Sequence, residues 1–120
     1  MSAAQNGHGA AIEAMVKLGA DPNRARTTGA TAMYIAAMEG QTSAVEALGR
    51  LGADPNIAQK DGGTPMYIAA EKGHTVAVEA LLKLGADFNK QFQGWSPLKI
   101  SRHYKHTAVV TFLEQHGATE

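Results

Sequence analysis

The chain contains no cysteine among its 120 residues. That excludes a disulfide framework and thiolate catalysis. It also lacks an excess of charge: eleven Lys and Arg stand against eleven Asp and Glu. No global field therefore draws it to nucleic acid or to an anionic membrane. No apolar run approaches the ~18 residues of a membrane helix. The opening stretch, MSAAQNGHGAAIEAMVKLGA, has neither the basic head nor the apolar core of a signal peptide. No Asn is followed two residues later by Ser or Thr, so no glycosylation sequon points to secretion. An intracellular protein, cytoplasmic or nuclear, is the expectation.

Catalytic signatures are missing as well. There is no G-x-x-x-x-G-K-[ST], no G-x-S-x-G and no H-E-x-x-H. The Gly7-His8-Gly9 run lacks a third glycine in register and a preceding strand pattern. His103-x-x-His106 has metal-ligand spacing, but Glu114 is the nearest carboxylate in sequence. The reading is therefore not an enzyme, with no cofactor and no small-molecule substrate. What is present is ordinary folded-protein composition, 44% apolar and 18% charged, enough for one domain with a core.

Within that composition one phrase returns. LGADPN fills 18–23 and 51–56, LGADFN fills 84–89, and HGATE closes the chain at 116–120. Gly19, Gly52 and Gly85 are spaced by 33 residues, and 24–56 matches 57–89 at 20 of 33 positions. Such a period predicts a stacked array in which each unit buries its apolar face against the next. In the cleanest unit, Thr64 and Pro65 occupy N-cap and N1 of a helix running to about Lys72, and Gly73 ends it in the left-handed conformation. A second helix follows His74, with Thr75 the expected cap. Val78, Leu81 and Leu82 form its expected buried stripe. Asp61-Gly62 marks a hairpin-like loop. His8, His74 and His106 recur at one position between the helices, where the expectation is ring nitrogens bonded to turn backbone. Glu46 and Glu79 recur on a solvated face.

TPMYIAAEKGH followed by VEALLKLGADFN resembles the ankyrin repeat, G-x-T-P-L-H-x-A-A-x-x-G-H then V-x-x-L-L-x-x-G-A-D-x-N, over essentially the whole chain. The resemblance implies an all-α solenoid of helix-turn-helix units joined by β-hairpin-like loops. It divides the single domain into a truncated leading repeat (2–23), two full repeats (24–56, 57–89) and a capping repeat (90–118). It implies a protein-protein interaction module, an adaptor or scaffold that binds a partner protein. The alternative is a structural fragment of a longer array, or an engineered scaffold, with no partner of its own. Departures from the pattern stand at Tyr34, Tyr67 and Lys99 in place of the family's His, which puts its hydrogen-bond ladder in doubt. Further departures are Ala32 for the N1 Pro, Gly49 for the leucine that Leu82 represents, and Lys105 for Gly.

In the family, loop tips and first-helix faces form one concave binding surface. Carried over by position, the candidate protein-binding residues are Thr27, Thr28, Met38 and Glu39, then Lys60, Asp61, Glu71 and Lys72. The last unit contributes Phe92, Trp95, His103 and Tyr104, with Arg102 and Lys99 beside them. Only this last set is aromatic, and hot spots favour Trp and Tyr. Phe92 is expected at a loop tip. The same aromatics could instead cover the end of the core, and both readings are carried forward. Two further expectations concern the array itself. Gly49 should weaken its helix, so that alanine there stabilises. The shortened leading repeat should fray over residues 1–12 and support a weak dimer in an otherwise monomeric protein.

Overall fold

A computed structural model describes residues 31–120. The leading repeat at 2–23, the start of the next at 24–30 with Thr27 and Thr28, and the expectations about residues 1–12 and a dimer lie outside the described residues.

Six helices follow: α1 (Ala32–Met38), α2 (Thr42–Arg50), α3 (Pro65–Lys72), α4 (Thr75–Lys83), α5 (Pro97–His103) and α6 (Thr107–Gln115). They form three pairs. The first helices α1, α3 and α5 stack in one layer and the second helices α2, α4 and α6 in another. Among the described residues there is no strand, only an isolated antiparallel bridge between Phe92 and Trp95.

The sequence repeat becomes a repeat of helix ends. Each first helix opens on an extended hydroxyl residue whose side chain accepts the N–H three residues on: Thr31 from Tyr34, Thr64 from Tyr67 and Ser96 from Lys99, at 3.0–3.2 Å. The tyrosine substitutions thus leave this capping bond intact. Gly40 and Gly73 close α1 and α3 at φ of +69° and +75°, and Lys105 takes the same left-handed turn at +60°. Second helices start differently. Gln41, His74 and His106 hold the N-cap position without a side-chain cap bond, and Thr75, expected there, is already helical. The His74 ring is engaged elsewhere: its Nε2 lies 3.1 Å from the Met38 carbonyl.

The LGAD phrase is a Schellman end. Ala53 N–H reaches the Leu48 carbonyl and Gly52 reaches Gly49, and Ala86 to Leu81 with Gly85 to Leu82 repeats the pattern. Ala118 to Leu113 and Gly117 to Glu114 repeat it again, so HGAT is the same device. The Asp-x-Asn that follows serves the next unit. Asp54 turns back to the Asn56 N–H, and Asn56 Oδ1 accepts from Asp87 N–H at 2.7 Å across the unit boundary. Asn89 does the same for Thr119. At the last helix end no described unit follows, and Thr119 and Glu120 stand where Asp and Pro stood.

Alanines at 36, 37, 69 and 70 are buried and let neighbouring helices approach, while Met33, Met66, Leu98, Leu48, Leu81 and Leu113 fill the core. The stripe of α4 is Ala77, Val78, Ala80 and Leu81. Leu82, expected within it, is only half-buried. Its position faces along the stack rather than into the core, as its counterpart Gly49 shows. A Cβ on Gly49 would stand 2.4 Å and 2.7 Å from the two methyls of Leu84 in the following unit. Gly49 is therefore no gap; Leu84 occupies the space. Gly49→Ala gains about 0.5–1 kcal/mol of helix propensity but must move the end of the half-buried Leu84 side chain, which offsets part of that gain. The expected stabilisation is therefore smaller than helix propensity alone gives. In a Leu84→Ala background the same substitution should recover the full gain. Urea titrations of the four proteins measure the difference.

Candidate functional site

The loops decide where the aromatic residues of the last unit go. In the middle unit, Gln59 N–H bonds to the Gly63 carbonyl and Gly62 N–H to the Gln59 carbonyl. Three residues lie between the paired positions, with Gly62 at φ +100° and Asp61 accepting from Gly63 N–H. The last loop is one residue shorter. Phe92 and Trp95 exchange both backbone bonds at 2.9 Å, and Gln93 and Gly94 take φ of +51° and +82°. That is a two-residue primed turn. Its tip is Gln93-Gly94, so Phe92 is not at the tip, contrary to the sequence expectation. Its half-buried ring turns back onto Tyr67 of the preceding unit, centroids 5.0 Å apart.

Trp95, the other residue of this bridge, is also half-buried. The edge of His103 meets it at 5.2 Å, and Tyr104 meets His103 at 4.8 Å. Lys99 extends its ammonium over the indole, 4.8 Å from the ring centroid. Tyr104 is 52% exposed, one of the two most exposed large apolar side chains among the described residues. The pattern TPMYIAA would put a tyrosine where Lys99 stands. With a lysine there, and tryptophan at the loop position that holds Gly63 in the middle unit, cation-π contact becomes available.

His103 and His106 do not converge. The His106 ring faces back toward the preceding unit, its Nε2 2.8 Å from the Glu71 carbonyl. A carbonyl only accepts, so Nε2 carries the proton. His74 does the same to Met38 one unit earlier. The expectation of ring-to-backbone bonding holds for His74 and His106, with the bond crossing between units, while His8 lies outside the described residues. Among the described residues no group of three or more His, Asp or Glu could hold a metal.

Arg102 is engaged by carboxylates and not by the aromatic rings. Its guanidinium bonds to both Glu114 and Glu120, which raises its pKa further. The reason is its position. Arg102 aligns with Ala37 and Ala70 and Glu114 with Gly49 and Leu82, all on the side that the next unit covers. Among the described residues these side chains pair with each other.

The remaining candidates lie at equivalent positions of earlier units. Met38 is half-buried and Glu39 exposed at the end of α1; Glu71 is half-buried and Lys72 exposed at the end of α3. Lys60 and Asp61 are exposed at the middle loop tip. Between them sit Tyr34 and Tyr67. Burial pushes both phenols above their ordinary pKa; Asp61 adds to the shift at Tyr34, opposed by a hydrogen bond with Gln59, and Glu71 adds at Tyr67. Both rings are therefore neutral donors at physiological pH.

The family model described as ankyrin repeats (3 copies) matches residues 1–91 and 43–119. No curated protein matches the chain. Among the described residues no helix is long and apolar enough to cross a membrane.

Proposed function

The chain belongs to the ankyrin repeat family, whose members are generally protein-protein interaction modules, and from that premise we propose that it binds a partner protein through the first-helix layer and the loops. The observation that carries this reading is the ring cluster of the last unit. Trp95, His103 and Tyr104 run edge to face, yet the outermost ring stands open to solvent. A ring needed only to close the core would be covered. An exposed aromatic next to a half-buried tryptophan is what an interface anchor with a supporting rim offers. Met38, Glu39, Lys60, Asp61, Glu71 and Lys72 extend the same surface toward the start of the chain, while Thr27 and Thr28 lie outside the described residues.

Trp95 serves both the surface and the fold, because it packs on the core while its ring also meets His103 of the cluster. Tyr104 separates the two roles. Tyr104→Ala is expected to change stability by less than about 0.5 kcal/mol while weakening partner binding by about 2 kcal/mol. A photo-crosslinking side chain at Tyr104 should capture a partner that the same group at Glu79, on the second-helix layer, does not. Equal capture from both positions, or full affinity in Tyr104→Ala, would overturn the reading.

A further inference from the structure

The last unit carries unbalanced charge on the face where its rings meet. Its only carboxylates are Glu114 and Glu120, and Arg102 holds both at the end of the stack. Lys99 and Lys105 therefore face no acid of their own unit. Lys99 is held over the Trp95 ring instead of against a carboxylate, and Lys105 follows Tyr104 in a left-handed turn that keeps it exposed. The middle unit adds no net charge to this surface, because its exposed Lys60 and Lys72 balance Asp61 and Glu71. The described part of the unit before that presents Glu39 there, so the positive charge is local to the rings.

We infer that this end of the surface takes an acidic peptide segment with an apolar anchor, an inference that rests on the interaction-module reading above. An aliphatic or aromatic side chain of the partner packs between Trp95 and the exposed Tyr104, and flanking Asp or Glu carboxylates meet Lys99 and Lys105. The physical argument is desolvation. A partner that covers the rings strips water from Lys99, and that loss is compensated only by an anion. A neutral or basic segment would leave the ammonium buried without a counter-charge. The acidic stretch gains little by being long, since further along Lys60 and Lys72 are balanced by Asp61 and Glu71, and Glu39 follows. Single-stranded nucleic acid would find rings and lysines as well, but two lysines beside a charge-balanced surface make a poor track for a continuous phosphate backbone.

Trp95 is the only tryptophan of the chain, so its emission reports the site directly. A random peptide library displayed on phage is selected against the full chain, and synthetic copies of the enriched peptides are titrated by Trp95 fluorescence. The expected winners combine Asp or Glu with Leu, Ile or Phe and move the emission. Lys99→Glu with Lys105→Glu should weaken them at least about tenfold, and added salt should weaken them too. Circular dichroism checks that the double variant keeps its helices. Peptides without acidic bias, acidic peptides indifferent to the double substitution, failure to recover any binding peptide, or tighter binding of an oligothymidylate probe would each overturn the inference. Peptides that bind without moving Trp95 emission would overturn it while leaving the interaction-module reading standing, which the Tyr104 crosslinking tests separately.

Discussion

Leu81→Ala is expected to cost about 3–4 kcal/mol of stability, and Leu82→Ala less than half of that. The two leucines are adjacent and both fit a helical apolar stripe. Leu81 is fully buried in the middle of the stack, and its carbonyl anchors the Schellman end through Ala86. Truncating such a side chain loses its transfer free energy and opens a cavity that flanking helices cannot close, about 2–5 kcal/mol in all. Leu82 keeps part of its surface in water and has less to lose. Denaturant melts of the two variants give the comparison directly. Equal losses would mean that the seam between units, and not the centre of each helix pair, carries the stability.

Gly73→Ala is expected to cost about 2–4 kcal/mol, unusual for one added methyl. Two effects coincide. The residue sits at φ +75°, where an L side chain costs about 1–2 kcal/mol. The new Cβ would also stand 2.6–2.9 Å from the His106 ring, which cannot swing away without losing its bond to the Glu71 carbonyl. Lys105 isolates the first effect, since it already holds the same turn at φ +60°. Lys105→Gly should therefore stabilise modestly, by no more than about 1 kcal/mol. Placing His106→Ala behind Gly73→Ala should recover the part due to the clash and leave the backbone part. Thermal melts of the single and double variants measure both. Additive losses would show that ring and glycine are not coupled.

The division between what could be read from the chain alone and what could not follows the range of the interactions. Thr64-Pro65 at a helix start, Gly73 at its end and the thrice-written LGAD phrase act within a few residues. Their hydrogen bonds close on themselves, so letters in order are enough to place the six helices. The 33-residue period adds that equal units stack. Family membership and the all-α solenoid were legible on those grounds. Side-chain direction across unit boundaries was not. Gly49 reads as a weak spot until Leu84 from the following unit is seen filling it. Phe92 reads as a loop tip until the missing loop residue converts the turn and sends the ring onto Tyr67. Arg102 reads as one more charge beside the aromatics until Glu114 and Glu120 are seen to hold it. In each case the deciding neighbour lies roughly a dozen to thirty-five residues away, and its approach is set by how one unit leans on another. The sequence by itself determined the units, their ends and their order. Only the tertiary structure decided which side chains meet between units, and so which rings and lysines are left for a partner, because packing depends on distances that a local pattern does not encode.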